Sequence, residues 1–266
     1  MAAGKFDLPS RQAAPMGSVA ATALDAARGK AAAVARGYYE DAHADAFAKP
    51  RPGFTAGGPL FNRGHFARIA AVGAVIERFL DAATPERAQV VSLGAGFDTR
   101  YWALVARRIA PRLYLEIDQP EIVDAKRAAV SRDASLLRAL PGGRESIGSE
   151  EILPASGRGY ALLVADLRSI PSVDAALARA RWDPAAPTLL IAECVLVYLP
   201  PSASAQLLGW FRRRAESAVL VAYEQIRPDD AFSRVMLANL RQRGCPLLGL
   251  TECADEAAQV LFLLLL

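Results

Sequence analysis

A chain of 266 residues that is 53% hydrophobic can bury one sizeable core, and it reads as one large α/β domain rather than two smaller ones. Its formal net charge of +3 calls for neither nucleic acid nor a membrane surface, and Arg212-Arg213-Arg214 and Arg241-Gln242-Arg243 fall where solvated helix faces are expected. Its only histidines are His43 and His65, and Cys194, Cys245 and Cys253 lack metal-ligand spacing, so the composition argues against a histidine-based metal site or a Ser-His-Asp triad and for a reducing, cytoplasmic setting.

Residues 1 to 18 mix Ala, Gly, Pro and isolated charges without period and are expected to form a mobile tail. They lack the apolar core of a secretory signal, and no run of about 18 apolar residues follows. From Val19 to about Gly37 alanines dominate, and Thr22 with Asp25 resembles a capping box, so a helix carrying Lys30 is predicted. Tyr38 to Phe47 reads as a short helix and Lys49 to Leu60, rich in Pro and Gly, as a loop; residues 19 to 60 thus form a helical cap. Asn62 opens a periodic helix to about Leu80, with Phe66, Ile69, Val72, Val75, Ile76 and Leu80 on the face that covers the sheet and Arg68 off that stripe.

Gln89-Val90-Val91-Ser92-Leu93 is an apolar strand that stops at Gly94-Ala95-Gly96, after which Asp98-Thr99-Arg100 starts a helix. Glycines here let the backbone turn tightly and approach a ligand at the carboxyl end of a strand. A dinucleotide fingerprint needs a third glycine where Thr99 stands, so S-adenosylmethionine, which has no phosphate, suits the turn better. The second strand, Leu113 to Asp118, ends in an acid 22 residues after Gly96, the separation at which a carboxylate meets ribose hydroxyls; the plainer reading is a solvated acid at a strand end.

Helices are predicted over Tyr101 to Ile109 and Gln119 to about Leu137, then a long connection over 138 to 158 with a short strand at Ser146 to Leu153. Tyr160 to Val164 is the third core strand and ends at Ala165-Asp166-Leu167-Arg168. After a helix at Val173 to Arg181 comes the most apolar strand, Thr188 to Ala192, closed by Glu193-Cys194. A carboxylate there must sit at the sheet's edge or have a partner, because burying a lone charge costs several kcal/mol. Helix Pro201 to Ala215, strand Ala218 to Tyr223 and helix Pro228 to Arg243 complete an alternation that predicts a doubly wound, mostly parallel sheet.

Several of these stretches resemble the leucine carboxyl methyltransferase family: residues 62 to 68 (Asn-Arg-Gly-His-Phe-Ala-Arg), 93 to 99, 165 to 168, 187 to 198 and 223 to 225, within a likeness that covers about Lys30 to Cys253. The resemblance implies a class I, Rossmann-like S-adenosylmethionine-dependent methyltransferase domain over 19 to 253. It further implies methylation of the C-terminal leucine carboxylate of a type 2A protein phosphatase catalytic subunit, by a monomer. Carried onto this chain, it implies that Lys30, Arg68, Gly94, Asp118, Asp166 with Leu167, and Glu193 contact the cofactor, Glu193 by accepting from its ammonium group. Arg68 is also the candidate to hold the acceptor carboxylate, and Tyr198 either touches that carboxylate or packs. The blander readings are a surface lysine, a helix-face arginine and a structural acid for Lys30, Arg68 and Glu193.

A terminal carboxylate with a pKa of about 3.3–3.7 is already ionised at neutral pH and needs no general base or metal. Two other functions stand beside this one: carboxyl methylation of a modified tRNA base, in a branch that carries an added repeat domain, and a catalytically silent binding protein. Beyond Cys253 the likeness to the family ends, and residues 254 to 266 run into Val260-Leu261-Phe262-Leu263-Leu264-Leu265-Leu266. Family members continue into further strands, so the expectation is a truncated chain. Its apolar end would form a short strand or an exposed patch, and its strand at 218 to 223 an open edge prone to self-association.

Overall fold

The computed structural model describes residues 18–48, 58–154, 156–251 and 253–264. Five strands, β1 (Gln89–Leu93), β2 (Leu113–Asp118), β3 (Gly159–Val164), β4 (Thr188–Glu193) and β5 (Ala218–Tyr223), form one parallel sheet in the order β3-β2-β1-β4-β5. β1 is buried along its whole length, as a central strand covered on both faces must be. Successive strand residues point to opposite faces: Val90, Tyr114 and Leu189 feed one apolar cluster, Val91, Leu115 and Leu190 the other.

On the first face lie α1 (Ser18–Ala35), α2 (Ala44–Phe47), α3 (Pro59–Ala83), α4 (Arg100–Ala106), α5 (Pro120–Arg132) and α6 (Ala134–Arg138). On the second lie α7 (Ile170–Arg179) and α8 (Pro201–Arg214), packed through Val173, Leu177, Leu207 and Phe211. Prolines in the first turns of α3, α5, α7 and α8 preset the helical φ where no backbone donor is needed. α9 (Ala231–Gln242), capped by Asp230 through the Ser233 amide at 2.6 Å, packs Met236, Leu237 and Leu240 on Val197, Leu247 and Leu250. Among the described residues no helix is long and apolar enough to cross a membrane.

Several boundaries depart from the sequence reading. The helix expected from Gln119 to Leu137 breaks at Asp133, whose carboxylate accepts from the Ser135 and Leu136 amides at 2.7 and 3.1 Å and so restarts the chain as α6. The expected stripe of α3 is wrong at its start: Phe66 is exposed, while Asn62 and His65 are buried. The first turns of α3 pack on α1 instead of the sheet, with Gly29 lying so close to the His65 ring that a Cβ would not fit. The strand expected at 146–153 reduces to single bridges of Ile152 to Ile147 and Leu162 after a short 3-10 turn, and the helix at 38–47 to α2. The expected tail at 1–18 lies outside the described residues except for Ser18, as does most of the loop at 49–60.

β5 closes the sheet on one side, its first two residues exposed. The described part of the apolar C-terminal run forms no strand: with Glu256, Ala257 and Ala258 before it, it folds as α10 (Glu256–Leu264), and it leaves Val260, Leu261 and Leu263 exposed, as the expected patch requires. Phe262 and Leu263 line a small cleft with Val197 and Ala222, whereas Val260 and Leu261 face solvent.

Candidate active site

The order of the sheet reverses between β1 and β4, and at their carboxyl ends opens a cavity of about 790 Å³. Its wall includes every site residue picked from the sequence: Lys30 from α1, Arg68 from α3, Gly94 after β1, Asp118 at the end of β2, Asp166 and Leu167 after β3, Glu193 at the end of β4, and Tyr198 beyond it.

The turn after β1 depends on its glycines. Gly94 has φ +61° and a Cβ on it would stand 2.7 Å from Val195 Cγ2, so glycine alone keeps both the turn and the neighbouring loop. Gly96, at φ +56°, donates its amide to Asp118 Oδ2 at 2.6 Å, while Oδ1 accepts from the Gln119 amide at 2.7 Å. Burial pushes the Asp118 carboxyl up, and these two donors pull it back. Asp118 therefore ties the turn to β2 and presents its remaining lone pairs to the cavity.

Opposite, three cations meet two carboxylates. Glu193 holds Arg68 Nε with Oε1 and Arg100 Nη1 with Oε2, the latter at 2.6 Å. Arg100 Nη1 also holds Asp98 Oδ2 at 2.7 Å, and Asp98 Oδ1 accepts from the Thr99 and Arg100 amides at the start of α4. Burial pushes the Glu193 carboxyl up, but Arg100, Lys30 and Arg68 outweigh it and hold the group well below the usual carboxylate range; Asp98 is held low in the same way. Burial pushes the Lys30 ammonium down against the attraction of Glu193 and Asp98. Three basic side chains thus stand against two carboxylates, and all of the five except Arg100 line the cavity.

Two candidates carry partners of their own. Each Glu193 oxygen accepts from one arginine, so Glu193 fixes Arg68 and Arg100 and has further lone pairs left for a donor in the cavity it lines. The Asp166 carboxylate is paired with Arg168 at 2.8 Å on an exposed rim, so a ligand there would share it with that guanidinium. Arg100 and Asp98 were not among the sequence candidates. One signal for Arg100 was available: a cation in the first turn of a helix opposes the helix dipole and needs a paired acid.

Behind the turn, Lys126 is wholly buried, bound to Glu116 and to the Asp98 carbonyl at 2.7 Å, with the Tyr160 hydroxyl donating to Glu116 at 2.7 Å. Tyr198 sits on a 3-10 turn, Leu196–Tyr198, and is half-buried. Glu224 holds that turn by accepting from the Val195 and Leu196 amides at 3.0 and 2.8 Å. Burial pushes Glu224 up to about 7, the Cys194 thiol up to about 11 and His65 down to about 4.

A parallel sheet of this order, with a glycine turn after its first strand, an acid closing its second and a ligand-sized cavity at the switch point, defines a class I, Rossmann-like S-adenosylmethionine-dependent methyltransferase. A model of the leucine carboxyl methyltransferase family matches residues 18–212. The leucine carboxyl methyltransferase 1 homolog of Arabidopsis thaliana is 41% identical over 88% of this chain and 69% of that protein. Leucine carboxyl methyltransferase 1 of Rattus norvegicus is 36% identical over 91% of this chain and 72% of its own. The tRNA wybutosine-synthesizing protein 4 of Homo sapiens is 38% identical over 91% of this chain, but over 36% of its own length. The chain belongs to the leucine carboxyl methyltransferase family.

Its cofactor is S-adenosylmethionine, and the residues present fit it. The surplus basic side chain suits a methionine carboxylate, Asp118 a ribose diol, and the bare Cα of Gly94 a close approach. Among the described residues no group of three or more His, Cys, Asp or Glu side chains could hold a metal ion.

Proposed function

We propose that the protein methylates the C-terminal leucine α-carboxylate of a type 2A protein phosphatase catalytic subunit. The likeness to leucine carboxyl methyltransferase 1 along about nine-tenths of the chain carries this reading. Lys30 and Arg68 bind the methionine carboxylate, Asp118 the ribose and Asp166 with Leu167 the adenine. When bound, the cofactor would supply a methyl group on a sulfonium, whose sulfur takes the electron pair of the broken bond and leaves as a neutral thioether.

The acceptor arrives as an anion, since an α-carboxyl has a pKa of about 3.3–3.7. No proton must be removed. Consistent with this, His65 lies outside the cavity and, pushed down to about 4, is a weak base, while the Cys194 thiol, pushed up to about 11, stays protonated at neutral pH. The residues' work is alignment and the exclusion of water. The guanidinium of Arg68, anchored through Nε and by a long 3.5 Å contact from Nη2 to the Glu193 carbonyl, has Nη1 and the rest of its donor capacity for a carboxylate, and Tyr198 borders the same space.

Incubation with methyl-labelled cofactor and a purified phosphatase catalytic subunit is expected to label the terminal leucine as a base-labile ester. Equal labelling of a subunit lacking that leucine would overturn the substrate assignment. A second reading, carboxyl methylation of a modified tRNA base, is favoured by the 38% identity to the human wybutosine-synthesizing protein. Label appearing in tRNA and not in the phosphatase would select it.

A further inference from the structure

We infer that Arg100 is a positioning residue for cofactor binding: a single buried nitrogen that bridges the turn after β1 to the end of β4 and keeps Arg68 free for an anion. Arg100 does not line the cavity. Both carboxylates it bridges do, as does Arg68, so it acts from behind the wall on groups that form the wall.

One atom does this. Nη1 lies 2.7 Å from Asp98 Oδ2 and 2.6 Å from Glu193 Oε2, while Nε and Nη2 are buried and bonded to no protein group among the described residues. The cation thus separates two like charges, Asp98 and Glu193, one of which lies 93 residues beyond Arg100 along the chain. Without it, Asp98 and Glu193 would face each other with Lys30 and Arg68 as the remaining cations, two charges against two. The surplus that suits a ligand carboxylate would be gone. Glu193, no longer held through Oε2, would draw on Arg68 with both oxygens and compete for its terminal nitrogens, of which Nη2 now makes only a long contact, 3.5 Å, to the Glu193 carbonyl.

Because a single nitrogen is used, charge at that point matters more than the planar fork of a guanidinium. A lysine there should stand in for the arginine, whereas the exposed side of Arg68 needs the fork itself. This inference rests on the cofactor assignment and is independent of which carboxylate is methylated.

The test is the affinity of the full chain for S-adenosylhomocysteine by calorimetry, in wild type, Arg100→Met and Arg100→Lys, with thermal melting of each free protein. Arg100→Met is expected to weaken binding about tenfold or more, and Arg100→Lys to recover most of that loss. A merely structural arginine would lower the melting temperature without this pattern of rescue. An affinity for Arg100→Met within twofold of wild type overturns the inference, and so does a folded Arg100→Lys that binds as poorly as the methionine variant. If Arg100→Met does not fold, Arg100→Lys decides alone: near-wild-type affinity supports the bridge and a tenfold loss overturns it. Failure of the wild type to bind would instead sink the cofactor assignment, and this inference with it.

Discussion

Gly94→Ala offers a direct test of how tightly the loop after β4 sits on the turn after β1. Two separable costs arise. The backbone at φ +61° is a conformation that an L side chain adopts at a cost of about 1–2 kcal/mol. The added methyl would also stand 2.7 Å from Val195 Cγ2 and 3.0 Å from Cγ1, where carbon atoms prefer 3.5–4.0 Å; overpacking of this kind costs about 1–3 kcal/mol. The single variant should therefore lose about 2–5 kcal/mol in denaturant unfolding. Val195→Ala removes both offending methyls and leaves the backbone term. In a double-mutant cycle the two substitutions should thus couple by about 1–3 kcal/mol, with the double variant more stable than additivity allows. Coupling near zero would refute the close approach. A loss below about 0.5 kcal/mol for Gly94→Ala alone would refute the strain as well.

Asp118→Ala should weaken S-adenosylhomocysteine binding by about 1.5–3 kcal/mol, read by calorimetry, since the ribose would lose charge-assisted acceptors; an unchanged dissociation constant removes Asp118 from the ribose site. Arg68→Lys should keep the fold by circular dichroism but lower methyl transfer strongly, because an ammonium cannot grip Glu193 and a second carboxylate in the same plane; wild-type turnover would remove Arg68 from the acceptor site. Glu224, pushed up to about 7 by burial, binds its proton more tightly folded than unfolded. Stability should accordingly fall as pH rises from about 4.5 to about 7 and then level off, with Glu224→Gln showing a weaker slope; equal slopes in the two proteins would contradict the assignment.

Much of the site was legible because its signals are local. The break from an apolar strand to Gly94-Ala95-Gly96, and the acid at Asp118, declare themselves in a few residues. Glu193 announced that it needed partners, since no carboxylate follows so apolar a strand uncompensated. Their identity was not legible: Arg68 and Arg100 meet Glu193 from 125 and 93 residues away, and spacing along the chain carries no trace of that. Phe66 misled because periodicity reports a face and not what covers it; α1 covers the first turns of α3. At Asp133 a side chain that competes for backbone amides outweighed helix propensity on both sides. The apolar run from Val260 was expected as a short strand or an exposed patch, and after a Glu-Ala-Ala start its described part, to Leu264, is helix.

The scattered origin of the charged cluster also orders events during synthesis. Lys30, Arg68 and Arg100 are already in the chain before Glu193 exists, and Arg68 precedes it by 125 residues. At about 5–20 residues per second that interval is on the order of 10 s. Through it a nascent chain holds the cations without the acid that orients them, and β1 lacks its neighbour β4. A fragment stopping short of Glu193 should therefore not retain the cofactor, so ligand stabilisation acts on the assembled sheet and not on its intermediates.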